Sequence, residues 1–507
     1  MTTATTTTTY EQLCEHAKKT GVFASINCLL GWDERTLLPT AAGEFRAEQM
    51  ATLAGLVHSR CVDPRVGDWL NEVEASDEAA DPASDVGATV ANLRREYDKL
   101  TKLPQDLVER IARITVEGQQ AWVEARKQDD FASFRPQLEQ IVSLVCEKAD
   151  ALGHDGERYD ALLDEYEPGA KTAQVADVLN ELGAKLQPFV AEIVGSGRVA
   201  PVDILKRSFP VEAQREFGIM AASAIGFDFD RGRLDVTHHP FCESMGPSDV
   251  RITTRYDEHW FPGSFFGTMH EAGHGIYEQG LRADQFGLPL GKYSSLGVHE
   301  SQSRLWENSV GRSRAFWHHL LPKAKAAFPT ALADVSDDDF FWAINNVCPS
   351  LIRVEADEAT YNLHIIIRFE LERELVSERL AVKDLPAAWN EKYEHYLGIT
   401  PPSNADGVLQ DIHWSSAAIG YFSTYSLGNL YAAQLYDKAD QDLGGLAAQF
   451  ERGEFAPLRD WLLTNVHQQG QRYTASDLIE RVCGQPLSSE PLMNYLGAKL
   501  RPLYGLA

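Results

Sequence analysis

No Cys-x-x-Cys pair occurs anywhere in the 507 residues. The seven cysteines, Cys14, Cys28, Cys61, Cys146, Cys242, Cys348 and Cys483, are scattered and odd in number. That distribution speaks against a disulfide framework and against a cysteine zinc site. Any apolar run of about 18 residues is also missing, so no membrane span is expected. The Thr-rich start MTTATTTTTYEQ carries neither a basic n-region nor an apolar core and does not read as a secretory signal. Residues 1–9 read as a short disordered lead, and a reducing cytoplasm is the expected address. Positive charge is scarce. Lys and Arg number 47 against 74 Asp and Glu, a formal charge of −27. This argues against nucleic acid and anionic membranes as partners, because phosphate binding depends on clustered cations. One buried Arg can still hold a small anionic ligand.

What is present is mostly helical pattern. EQLCEHAKKTGVFASINCLLGWD, GEFRAEQMATLAGLVHSR and the segments Val90–Leu100, Leu107–Lys127 and Phe134–Leu152 carry apolar residues at helical spacing. EASDEAADPASD, 74–85, reads as a solvated acidic loop between two of them. No repeat or long Gly/Ser linker forces a cut, so a single domain over 1–507 is expected, with a catalytic core at about 230–430. One region departs from the helical pattern. In RLDVTHHPFCESMGPSDVRITTRY, Arg233–Tyr256, two β-prone runs flank a turn, which predicts a small antiparallel hairpin. Helix then resumes to about residue 385, and the polar GITPPSNADGVLQDIHW interrupts it before the final helices.

Just after the predicted hairpin stands GTMHEAGHGIYEQG, 267–280. On a helix His270 and His274 share a face, the spacing two imidazoles need to bind one metal ion. Glu271 lies about 100° around the axis, placed to reach a water rather than the metal. Met269, Ala272, Gly273 and Ile276 form an apolar face that would anchor the helix. Glycines inside a helix each cost about 1 kcal/mol against Ala, so their use predicts a close backbone approach. Position 280 is Gly280, so a third ligand has to come from further on. GVHESQSRLWENSVGRS offers Glu300 and, about two turns beyond it, Glu307. Either completes a two-His, one-carboxylate set with an open position for water. Such a set, with Glu271 as proton carrier, suits amide hydrolysis. His413, Tyr421 and Tyr425 in HWSSAAIGYFSTY are candidate donors to the developing oxyanion.

In this order and spacing, WDERTLLP (32–39), HPF (239–241), DVRIT (249–253), HEAGH (270–274), HES (299–301), IRVEADEAT (352–360) and GYFSTY (420–425) resemble one family, the thermostable (Taq-type) metallocarboxypeptidases. The resemblance runs through most of the chain. It implies a mainly α, two-lobed, neurolysin-like metallopeptidase with a deep groove and a small antiparallel β-element near the active site, usually a homodimer. It implies that His270, His274 and Glu300 bind Zn2+ or sometimes Co2+, with Glu271 as general base. Peptides would lose single residues from their carboxyl termini with broad preference, commonly stalling at proline. In the family, HPF and DxRxT are associated with closing one end of the groove. One departure is Ser423 in GYFSTY, where many relatives carry Pro, which should loosen that loop slightly.

A carboxypeptidase must hold a free α-carboxylate, and the guanidinium fork matches it best. Arg353 is the first candidate, expected to open a helix on which Asp357, His364 and Arg368 share its face. A structural pair with Asp357 is the competing explanation. Arg251 is the alternative, unless it pairs with Asp249. His239 is a groove-lining candidate or a turn residue, and Asp33 of WDERT is expected to cap or pair. Among other functions, an oligoendopeptidase or dipeptidyl carboxypeptidase would need an open groove. A non-catalytic peptide- or metal-binding protein would lack the general base, and Glu271 is present.

Overall fold

A capping box starts the long first helix, Thr9–Thr36. Thr8 Oγ1 accepts from the Glu11 amide at 3.1 Å, and the Glu11 carboxylate accepts from the Thr8 amide at 2.8 Å. Thr8 and Thr9 are therefore ordered parts of a helix entry rather than of a disordered lead. The computed structural model describes residues 8–506, and the rest of the expected lead lies outside them. The chain is mainly helical, as expected, with a single small sheet among the described residues. It builds two compact units. Of the described residues, the first comprises 8–101, 202–341 and 435–482, and the second 102–201, 342–434 and 483–506.

In the first unit the sheet has three strands, β1 (Gly232–Val236), β2 (Cys242–Ser244) and β3 (Val250–Thr254), in the order β1-β3-β2. The expected hairpin is β2–β3, antiparallel across the Met245–Asp249 turn. The purely antiparallel element is corrected by β1, which pairs with β3 in parallel. The reason lies in HHP. Pro240 has no amide to donate, so the first β-prone run divides into two strands that pair with opposite edges of β3. Behind the sheet, the helix Phe261–Gly280 begins in an aromatic cluster. Phe261 stacks on Phe209 and Phe265 at 5.1 and 5.2 Å, and Trp317 packs on Phe265 at 5.0 Å. These rings lock the start of the HEAGH helix, which fixes the height of its histidines.

In the second unit the helix Tyr361–Val376 is buried almost all round, and the polar Asn362, His364, Arg368 and Glu372 are buried with its apolar residues, each with a hydrogen-bond partner. Its start differs from expectation. Arg353 sits in a single 3₁₀ turn, Arg353–Glu355, and residues 356–360 are not helical. An Asp side chain that bonds the amides two and three residues on competes with helix, and Asp357 does so here. Asp357 accepts from the amides of Cys348, Ala359 and Thr360 at 2.9–3.0 Å. It is a turn-forming residue rather than Arg353's partner.

Candidate metal centre and active site

The HEAGH helix and the helix Leu296–Arg304 approach at backbone distance. A Cβ on Gly273 would lie 2.6 Å from the Gln302 carbonyl oxygen and 2.7 Å from Ser303 Cα. This is the close contact that the glycine predicted, and it sets Glu300 opposite the two histidines. Gly275 similarly admits the ring of Phe227. Met269, Ala272 and Ile276 are buried, as expected of the anchoring face.

One ligand atom from each of His270, His274 and Glu300 falls within 4.8 Å of the others. Glu300 Oε2 is 3.5 Å from His274 Nε2 and 3.7 Å from His270 Nε2. Both separations exceed a good hydrogen bond. They match the edge of a tetrahedron of about 3.4 Å around an ion with bonds of about 2.1 Å. The residues therefore fit a divalent metal. Glu307, the rival ligand, faces the other side of the ring, 2.9 Å from His270 Nδ1. That is the place of a carboxylate that orients a metal-binding imidazole. It gets there because the helix widens into a π-turn over Leu305–Val310.

The charges around this cluster are arranged against burial. Burial would raise Glu300 and Glu307, but Arg304 and the His270 imidazole outweigh it. Glu307 comes down to about 2, and Glu300 is held well below the usual carboxylate range. Burial lowers His270, and Glu300 and Glu307 more than reverse it. Burial, helped by His299 stacked at 4.4 Å, takes His274 down to about 3. Glu271 is different: it is buried with its carboxyl pushed up to about 7. Two facing imidazoles, an ionised carboxylate and one buried carboxyl that exchanges its proton near neutrality are the groups that hydrolytic metal chemistry uses.

Residues 12–500 match the family described as Carboxypeptidase Taq (M32) metallopeptidase. The chain belongs to this family. It is 47% identical to thermostable carboxypeptidase 1 of Thermus thermophilus, over 98% of this chain and 99% of that one. With carboxypeptidase 1 of Bacillus subtilis the identity is 39%, again over 98% and 99%. A crystal structure of a carboxypeptidase of the family from Deinococcus radiodurans R1 superposes with a TM-score of 0.95 at 42% identity, covering 98% and 100% of the two chains. Membership of a metallopeptidase family implies a divalent metal, and the chain has a His–His–Glu set to hold it.

The HPF and DVRIT elements meet on the sheet. Thr253 Oγ1 accepts from the Phe241 amide at 2.8 Å and donates to its carbonyl at 3.0 Å. Arg251 pairs with Asp249 through two bonds of 2.8 Å and lies over the buried Trp32 ring at 4.4 Å. Asp33 pairs with Arg46 at 2.7 Å. His239 is exposed in the bend after β1.

Arg353, His413, Tyr421 and Tyr425 belong to the second unit. Arg353 is buried, and its partner is Asp411, not Asp357. Asp411 Oδ1 accepts from Nε at 2.9 Å and from Nη2 at 2.8 Å, and Nη1 donates to Tyr361 at 3.1 Å. Arg368 donates to the other Asp411 oxygen at 2.6 Å. His413 Nε2 lies 3.3 Å from the Tyr425 hydroxyl, and its ring is 5.4 Å from that of Tyr421. Burial lowers His413 to about 4, so it is neutral near pH 7. Ser423, the departure from the family's Pro, lies in the helical part of GYFSTY. It is buried at the first position of the helix Ser423–Asp442 and donates to the Gly420 carbonyl.

Arg304, Asp411 and Glu372 were not singled out from the sequence, and Arg368 was placed on the face of Arg353 without its partner Asp411. Arg304 follows Glu300 at i+4, a spacing that was there to be used. The others pair across long sequence separations that no local pattern reveals.

Proposed function

We propose that the chain is a carboxypeptidase of broad preference that removes single amino acids from peptide carboxyl termini. The metal would be zinc, or alternatively cobalt, held by His270, His274 and Glu300. The observation that carries this reading is the buried Glu271 carboxyl, pushed up to about 7, on the same helix as two members of the His–His–Glu set. A divalent ion there supplies Lewis acidity, polarising the scissile carbonyl and bringing the pKa of water toward neutrality. Glu271 takes the proton of the attacking water as its oxygen bonds to the carbonyl carbon. It then gives that proton to the amine nitrogen as the C–N bond breaks. Neutral His413, with Tyr421 or Tyr425, donates to the oxyanion.

Arg353 is the first choice for the substrate's carboxylate. Two guanidiniums, Arg353 and Arg368, share the one carboxylate of Asp411, which leaves positive charge to meet an anionic terminus. Arg251, already paired with Asp249, and the exposed His239 are secondary candidates. Peptides as substrates, a homodimer and a cytoplasmic address complete the reading; the last two rest on the resemblance and on composition.

The test is a mass-spectrometric time course on one peptide, offered as free acid and as amide, with added zinc or cobalt and with chelator. A metal-dependent ladder of single losses from the free acid alone is the expected result. Internal cuts in both peptides would instead indicate an oligoendopeptidase.

A further inference from the structure

Glu300 has two carboxylate oxygens, and the structure gives them different partners. Oε2 is the atom facing His270 and His274, at 3.7 and 3.5 Å, and it also accepts from Ser303 Oγ at 3.2 Å. Oε1 is held by Arg304 Nε at 2.7 Å. The same guanidinium reaches Glu307 Oε2 through Nη1 at 3.2 Å, the oxygen that meets His270 Nδ1 at 2.9 Å. Arg304 thus ties together the carboxylate on the Nε2 side of His270 and the carboxylate on its Nδ1 side. Its side chain is only 15% exposed and that of Glu300 9%, so water does little to weaken the pair.

We propose that Arg304 is a positioning residue that sets how Glu300 meets the metal: by occupying Oε1, it restricts ligation to Oε2. A carboxylate with both oxygens available can chelate one ion. Chelation would add a ligand to the two imidazoles and fill the position that water and substrate need, whereas hydrolytic zinc sites work with three protein ligands and an open fourth position. A planar guanidinium suits the task because it engages both carboxylates from fixed directions, while an ammonium offers a single point charge. The inference rests on the metal site proposed above and adds the ligation mode.

Cobalt provides the readout, since four-coordinate Co2+ absorbs visible light several-fold more strongly than five-coordinate Co2+. The full-length wild-type chain loaded with one equivalent of cobalt is expected to give the intense spectrum. Arg304→Met is expected to keep its cobalt, lose intensity several-fold and lower kcat more than it changes KM. Retention of the intense spectrum in Arg304→Met would overturn the proposal. If Arg304→Met fails to fold or to load, Arg304→Lys decides: reduced intensity supports the proposal and native intensity overturns it. His270→Ala separates the two levels. A wild-type spectrum that survives His270→Ala means that the metal site itself is wrong, whereas a His270-dependent spectrum indifferent to Arg304 removes only this inference.

Discussion

The cluster around His270 and the cluster around Arg353 are both buried and charged, but they are built in opposite ways. The first is written along two helices. His270, Glu271 and His274 share one turn, Glu300 and Arg304 share another, and Gly273 permits the close approach of the helices. The second is assembled from a 3₁₀ turn, the interior of a helix and an irregular segment, with Asp411 joining Arg353 and Arg368 across long stretches of chain. A site made of helical spacings can be altered one residue at a time while its scaffold stands. A site made of long-range pairs is part of its own scaffold.

That contrast can be broken at Asp411. Asp411→Asn leaves two buried guanidiniums without their carboxylate, and the expected loss of stability is about 3–5 kcal/mol by chemical denaturation. A loss below about 1 kcal/mol would mean that the second cluster is no more structural than the first.

Glu372 sharpens the comparison through pH. Its buried carboxylate accepts from Tyr159, Trp414 and Gly420 at 2.7–2.9 Å, which ties the His413–Tyr421 segment to the second unit's core. Burial raises it from 4.5 to about 7, against those donors and Arg368. The folded state therefore binds a proton that the unfolded state has released. This contribution is complete below about pH 4.5 and is lost as pH rises to about 7, up to about 3 kcal/mol. Glu372→Gln should flatten that part of the stability–pH curve, and an unchanged slope would show that Glu372 titrates normally.

In the first cluster, Glu307→Gln should leave the fold intact and weaken metal binding about 10–100-fold by competition with a chelator. Unaltered affinity would remove Glu307 from the support of His270. The smallest effect belongs to Arg251→Ala. Its pair with the half-exposed Asp249 is worth about 1 kcal/mol or less, and KM should hold steady if that pairing is its whole role. A large rise in KM would return Arg251 to the substrate's carboxylate.

The same contrast explains what the sequence revealed. The helical class, the HEAGH face and the need for close packing at Gly273 all follow from local spacing, and all are present. Glu300 and Glu307 could not be separated by spacing alone, because the π-turn that sends Glu307 to Nδ1 leaves no periodic signature. The helix expected from Arg353 fails at Asp357, whose side chain takes the amides of Ala359 and Thr360 into a turn, so the helix starts only at Tyr361. Asp411 stands two residues before His413 in plain view. Only the folded chain shows that it belongs to Arg353 and Arg368.

In the proposed mechanism His270 holds the metal while Glu271 moves the proton. The most direct measurement is metal content together with kcat for Glu271→Gln and His270→Ala. Glu271→Gln is expected to keep its metal and lose about 10²–10⁴-fold in rate, while His270→Ala loses both. Equal loss of metal in the two variants, or near-native turnover by Glu271→Gln, would contradict it.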